Sequence, residues 1–137
     1  MRSFVRFAVR VPVILALLPL PALAETPMTG AEFEAYSTGK TLTYAQGGVV
    51  WGTEEYKANR RVMWAFTDAE CREGYWYEQG QQICFIYEDP NDPKCWLFYS
   101  DANGMRAQFA TDPPDMEMSD VAISSEPMGC LGPDVGV

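Results

Sequence analysis

Residues 71–99 hold three of the four cysteines in the chain, and this stretch most constrains the fold. Aromatic-rich runs lie on both sides of the dipeptide Gln79-Gly80. A loop with two prolines follows, and a third aromatic-rich run begins at Cys95. Short runs of this kind between turn signals are typical of antiparallel strands. The sequence therefore predicts consecutive hairpins in this stretch.

Comparable runs between turn signals continue on either side. We expect strands at residues 41–45, 49–51, 61–67, 74–78, 81–88, 95–100 and 105–110. In the 81–88 run, Ile83, Phe85 and Tyr87 share one face, while Cys84 and Ile86 share the other. Apolar groups on both faces indicate burial on both sides, as in a small barrel with a filled interior and a covered exterior. The predicted fold class is all-β, a small antiparallel meander barrel.

One short helix is predicted before the first strand. Thr29 and Glu32 fit the capping-box pattern, Phe33 and Tyr36 follow at helical spacing, and Gly39 stands where a helix often ends. We expect a helix over about Gly30–Ser37 that covers an open end or an edge of the sheet.

The N-terminal segment, residues 1–24, has the pattern of a signal peptide. Three arginines precede the apolar residues 11–20, and Ala22 and Ala24 occupy the small-residue positions of a cleavage site. The apolar run is too short to span a bilayer comfortably. We therefore expect export to the periplasm or the exterior, and no membrane association after cleavage.

The remaining residues, 25–137, suffice for one small domain. Loss of three arginines would move the formal charge from −9 to about −12, which disfavours nucleic acid as a partner. Residues 25–110 are predicted to form the barrel domain of a monomer. Residues 111–137 are predicted to form an extended acidic tail, tied back to the domain through Cys130.

Four cysteines in an exported chain predict two disulfides, for which three pairings are possible. If the second hairpin turns between Asp89 and Pro90, Cys84 lies directly opposite Cys95 at a distance that suits a bridge. Cys71 then pairs with Cys130. The alternative pairing of Cys71 with Cys84 fits the first hairpin less well and stays open.

The residue inventory argues against catalysis. The chain has no histidine and no expected free thiol, so nucleophile–histidine chemistry is excluded within it. The carboxylates of Glu54, Glu55 and Glu88 are expected at turns, where they would be solvated. Asp89, Asn91 and Asp92 resemble a calcium loop only weakly, and Met116, Met118 and Met128 are a weak candidate for a soft ion. We predict a protein that is not an enzyme, with no catalytic residue, no metal and no cofactor.

The aromatic content is the best functional indication, because it exceeds what one core face of such a meander needs. An aromatic-lined barrel mouth for a small apolar ligand would account for it, with Trp64, Trp76, Tyr87 and Trp96 as the expected ligand-binding residues. The alternatives are a barrel whose two faces are simply packed, and an exposed aromatic edge for a protein partner.

The motif set Gly74, Trp76, Gly80, Ile83-Cys84 and Cys95-Trp96 resembles that of small secreted bacterial proteins grouped as a domain of unknown function. The resemblance covers residues 29–109. It implies a lipocalin-like, or calycin-like, barrel in which Trp76, Cys84 and Cys95 are structural. A looser similarity, of fold alone, is to periplasmic inhibitors of lysozyme or of secreted proteases.

The sequence thus leads to two hypotheses about function. The first is an exported, non-catalytic binding protein for a small apolar ligand, which predicts an internal cavity. The second is a protein-interaction or inhibitor module acting on a basic partner, which predicts a filled barrel and a protruding loop near residues 89–94.

Overall fold

The computed structural model describes Met1 and residues 23–67, 70–113 and 116–130. Nearly all of the predicted signal peptide lies outside these ranges. The helix α1 spans Gly30–Ser37, and a single 3-10 turn spans Ala58–Arg60. The strands are β1 (Thr41–Gln46), β2 (Val49–Tyr56), β3 (Arg61–Phe66), β4 (Arg72–Gln79), β5 (Gln82–Ile86), β6 (Lys94–Asp101), β7 (Gly104–Phe109) and β8 (Met118–Ser124).

The eight strands form one antiparallel meander that closes into a barrel, because β8 pairs with β1. The shortest ladder is β7–β8, with two residue pairs, Arg106 with Ser119 and Ala107 with Met118. The predicted fold class, an all-β meander barrel with one short helix, is confirmed. Because neighbouring strands run in opposite directions, successive turns lie at alternate ends of the barrel. The two ends therefore carry different sets of turns and side chains.

Helix α1 closes one of these ends. The capping box is present: Thr29 Oγ1 accepts a hydrogen bond from the Glu32 amide, and the Glu32 carboxylate accepts one from the Thr29 amide. Phe33 is fully buried, with its ring centroid 4.4 Å from that of Phe98 and 5.1 Å from that of Trp76. An isolated helix of eight residues is unstable in water, so this packing is what holds it.

The predicted acidic tail contains a strand of the barrel. Residues 118–124 form β8, which pairs along five residues of β1, and the buried side chain of Met118 faces the interior. The boundary predicted at residue 110 is therefore wrong as the end of the barrel. The acidic and proline-containing composition of residues 112–120 suggested an extended tail, although residues 118–120 begin this strand.

Both disulfides match the preferred pairing. Cys84 lies opposite Cys95 in the β5–β6 ladder, with Cα atoms 4.0 Å apart, and the two are bridged. Cys71 is bridged to Cys130, with Cα atoms 5.5 Å apart, so the tail is tied back to the β3–β4 end of the barrel wall. The pairing is confirmed, and none of the four cysteines is free.

The β4–β5 turn lies one residue later than predicted. Gln79 pairs with Gln82, so the turn residues are Gly80 and Gln81. Gly80 has a φ of 61°, in the left-handed region that glycine occupies at little cost. This register places Tyr77 opposite Cys84.

One arginine on the outer wall joins three separate parts of the chain. Arg106 on β7 forms ion pairs with Glu25, with Asp101 at 3.2 Å and with Glu117 at 2.6 Å. Hydrogen bonds to the carboxylates of Glu25 and Glu117 raise the pKa of Arg106. The segment before α1 and the segment before β8 are thus fastened to the same strand.

Candidate functional site

A cavity of about 320 Å³ occupies the barrel interior on the side away from α1. Its walls include residues at the ends of strands that lie opposite the helix, such as Trp51 and Phe66, which are partly exposed. Its floor is formed by buried residues that also touch the helix end, such as Tyr56 and Phe98. The lining is Tyr44, Trp51, Glu54, Tyr56, Trp64, Phe66, Phe85, Tyr87, Lys94, Trp96, Phe98, Ala107, Phe109, Asp112 and Met118.

The mouth of the cavity is a ring of aromatic side chains. The Trp51 ring meets that of Phe66 edge to face at 5.3 Å and that of Trp96 at 6.2 Å. Trp96 in turn meets Phe109 at 4.9 Å. Edge-to-face and tilted pairs of this kind are favourable arrangements. These four aromatic side chains give the mouth of the cavity an apolar lining.

A β-bulge brings Trp51 into this ring. The β1–β2 register pairs Tyr44 with Gly52 and Ala45 with Val50, so Trp51 is the extra residue on β2. Bulges re-aim a side chain that would otherwise follow the regular alternation of a strand. The next residue, Gly52, is also required here, because a Cβ atom at this position would overlap the Trp64 ring.

The polar groups of the cavity lie deep inside it and centre on Glu54. This side chain is only 4 % exposed, and its Oε1 accepts a hydrogen bond of 2.9 Å from the Tyr87 hydroxyl. Beside it, the hydroxyls of Tyr44 and Tyr56 are 2.8 Å apart and hydrogen-bonded. The cavity therefore combines apolar walls with a small, convergent polar group, as is typical of small-molecule sites.

Burial raises the pKa of Glu54 from 4.5 to about 8, against the opposing effect of the hydrogen bond from Tyr87. Burial also raises the pKa of Tyr56 and of Tyr87, and the proximity of Glu54 raises both further. At neutral pH these shifts favour the uncharged forms of Glu54, Tyr56 and Tyr87.

Two further charged residues line the cavity. Lys94 is half-exposed, and its Nζ lies 2.7 Å from Oδ2 of Asp92. Asp112 is partly buried in the connection between β7 and β8. The positive charge of Lys94 is thus already matched by a neighbouring carboxylate outside the cavity lining.

The structure brings together three of the four predicted ligand-binding residues. Trp64, Tyr87 and Trp96 all line the cavity. Trp76 does not: it is buried against Phe33, and the guanidinium of Arg60 lies 4.5 Å from the centre of its ring. This position at the helix-covered end agrees with a structural role for Trp76. Ligand binding by the other three remains a prediction.

The prediction that Glu54 and Glu55 lie at a solvated turn is wrong, because both belong to β2 and Glu54 lies inside the barrel. The length of β2 is the sequence signal that could have placed Glu54 correctly. If β2 is extended from Trp51 to Tyr56, the two-residue alternation puts Glu54 on the same face as Tyr56. Glu55, by contrast, faces the other side and accepts a hydrogen bond from the Met128 amide.

The candidate metal ligands are not assembled into a site. Across residues 23–67, 70–113 and 116–130, no three histidine, cysteine or acidic side chains converge as they would around an ion. Met118 faces the barrel interior, whereas Met116 is exposed. In the same ranges no helix has both the length and the apolar character needed to cross a membrane.

In comparisons with protein-family models, curated proteins and solved structures, the chain has no match. The resemblance to lipocalin-like proteins of unknown function therefore remains a prediction.

Proposed function

We propose that this chain is an exported, non-catalytic binding protein that holds a small apolar ligand inside its barrel. The observation that carries the proposal is the cavity of about 320 Å³ with aromatic walls and a mouth at the end opposite α1. Ligand pockets fall in the range of about 300 to 1,000 Å³ and are mostly apolar with a few placed polar groups.

Export is supported by the two disulfides, since such bridges persist in oxidising compartments. The N-terminal pattern of residues 1–24 is that of a signal peptide, which would direct the chain to the periplasm or the exterior. The proposal therefore places the ligand outside the cytoplasm.

The interaction or inhibitor alternative receives less support. It predicts a solid barrel and a loop near residues 89–94 that projects an acidic surface to a basic partner. The barrel interior has a cavity instead, and within this loop Asp92 is already paired with Lys94.

A titration with N-phenyl-1-naphthylamine, an uncharged apolar fluorophore, tests the proposal. We expect saturable fluorescence enhancement with a Kd in the micromolar range, together with quenching of tryptophan emission, because Trp51, Trp64 and Trp96 line the cavity. Enhancement that does not saturate, with tryptophan emission unchanged, would contradict it. Native mass spectrometry of protein purified from its own compartment would then seek the natural ligand as added mass.

A further inference from the structure

The polar floor of the cavity indicates which apolar ligand the barrel would select. Resting on the function proposed above, we propose that the ligand is a cationic amine with an aromatic body: the rings of the cavity hold the body, and Glu54 receives the ammonium group.

The Glu54 carboxylate can accept further hydrogen bonds from a ligand. The Tyr87 hydroxyl donates to one oxygen, Oε1, at 2.9 Å. A carboxylate offers about four lone-pair sites, so one donor leaves capacity for the hydrogen atoms of an ammonium group. Because Glu54 lies in the floor, an ammonium bound there would draw the rest of the molecule between the aromatic walls.

The surrounding rings also favour a cation. Aromatic faces attract ammonium groups, and the attraction grows when water is excluded. Tyr56, Phe85 and Tyr87 line the same cavity as Glu54, and the Phe85 and Tyr87 rings are parallel within 7°. An ammonium group at the carboxylate would thus have both a counter-ion and ring faces close by.

The charged residues that line the cavity disfavour an anionic ligand. Two acids, Glu54 and Asp112, and one base, Lys94, line the cavity, and Lys94 is paired with Asp92. An anionic ligand such as a fatty acid would meet no unmatched cation among these described residues, and its carboxylate would face Glu54. The formal net charge of −9 also concentrates cations around the protein.

Binding of the amine requires one proton to leave. Burial raises the pKa of Glu54 to about 8, so near neutral pH the carboxyl group favours its protonated form before an amine binds. When an ammonium ion binds, the Glu54 O–H bond breaks, the electron pair remains as carboxylate, and the proton passes to solvent. The groups that face Glu54 are the phenols of Tyr44, Tyr56 and Tyr87. Burial raises the pKa of Tyr56 and of Tyr87, so these two phenols stay uncharged. Among the described residues that line the cavity, the other charged groups are Asp112 and Lys94, and Lys94 is paired with Asp92. Arg72, Glu88 and Asp89 lie on a separate pocket that Tyr87 also lines.

Three indole compounds with the same bicyclic ring test the proposal: tryptamine (cationic), tryptophol (neutral) and indole-3-acetate (anionic). Calorimetry with the full chain, disulfides formed, should show tryptamine binding about tenfold or more tighter than tryptophol, with indole-3-acetate weakest. Titration in buffers of different ionisation enthalpy should show release of up to one proton per tryptamine. Tryptamine affinity should rise with pH up to about 8.

Two variants make the test specific. In Glu54→Gln the preference for tryptamine over tryptophol should shrink to about threefold or less, while tryptophol still binds and so reports an intact barrel. Glu55→Gln is the matched control, because it removes a carboxylate from the neighbouring, outward-facing residue, and it should keep the preference.

The outcomes separate this proposal from the one on which it rests. If tryptophol and N-phenyl-1-naphthylamine bind but tryptamine has no advantage, or if the advantage survives in Glu54→Gln, the amine proposal is wrong and the binding function stands. If none of these compounds binds, both fail.

Discussion

The hydroxyl of Tyr87 donates a 2.9 Å hydrogen bond to Oε1 of Glu54 inside the barrel. The two residues come from different walls, since Glu54 belongs to β2 and Tyr87 directly follows β5. A buried carboxyl group costs stability when it is charged, and this single hydrogen bond does not remove that cost. The ammonium group proposed above as the ligand would compensate the charge of this carboxylate.

The first prediction concerns stability against pH. The pKa of Glu54 is 4.5 when unshifted and about 8 in the fold, so the folded state holds a proton that the unfolded state has lost. The contribution of Glu54 is therefore fully present below about pH 4.5 and is lost as the pH rises through about 8. The loss amounts to about 4 to 5 kcal/mol.

Glu54→Gln should remove this dependence, since an amide carries no charge and can still accept from Tyr87. Denaturant unfolding should give the variant and the parent similar free energies of unfolding near about pH 4, and a clearly more stable variant near about pH 9. Glu55→Gln is the control. A difference between parent and Glu54→Gln that does not change with pH would mean that Glu54 titrates normally.

The second prediction concerns the helix that closes the barrel. Phe33→Ala should destabilise the fold by about 3 to 5 kcal/mol, because it removes a buried ring that contacts those of Tyr56, Trp76 and Phe98. Thermal unfolding measures the loss. Tyr36→Ala, on the same helix but only partly buried, should cost less. Equal losses in the two variants would show that α1 does not act through Phe33.

The third prediction separates the two disulfides. The Cys71–Cys130 bridge joins residues 59 apart and the Cys84–Cys95 bridge residues 11 apart. Loop-closure entropy then assigns about 4 kcal/mol to the first and about 3 kcal/mol to the second. The double cysteine-to-alanine variant that lacks the Cys71–Cys130 bridge should therefore be less stable than the one that lacks the Cys84–Cys95 bridge. Removal of the Cys71–Cys130 bridge should also increase hydrogen exchange in β8, whereas β1–β7 should stay more protected than β8. Uniform exchange across all strands would contradict this local role.

Local sequence signals predicted much of the fold. The capping box at Thr29 and Glu32 defined α1, and the symmetry of Cys84 and Cys95 about the second hairpin turn defined one disulfide. Both are interactions between residues close in sequence, where spacing determines geometry. By contrast, β8 is a strand because it pairs with β1, about eighty residues earlier, and local composition carries little information on such a pairing.

The candidate site was predictable only in part for the same reason. Aromatic residues in alternating strands indicated a lined interior, and Trp64, Tyr87 and Trp96 are in it. Glu54 was missed because a glutamate beside Glu55 is usually solvated, and only the closed barrel reveals that it faces inward. Trp76 has the same side-chain chemistry as Trp64, but its position next to α1 excludes it from the cavity.

A pair of phenylalanine substitutions tests most directly whether the cavity is the site of binding. Ala107 is buried and lines the cavity, whereas Ala65 is only partly buried and does not line it. Each residue lies in a strand of the barrel wall, so Ala107→Phe and Ala65→Phe add the same ring on the inside and outside of that wall. Circular dichroism would first establish that both variants are folded.

The titration with N-phenyl-1-naphthylamine is then repeated on both variants. We predict that Ala107→Phe weakens binding by about tenfold or more, because the added ring occupies cavity volume, and that Ala65→Phe binds as the parent does. Unchanged binding in a folded Ala107→Phe variant would contradict the account, because it would place the ligand outside the barrel.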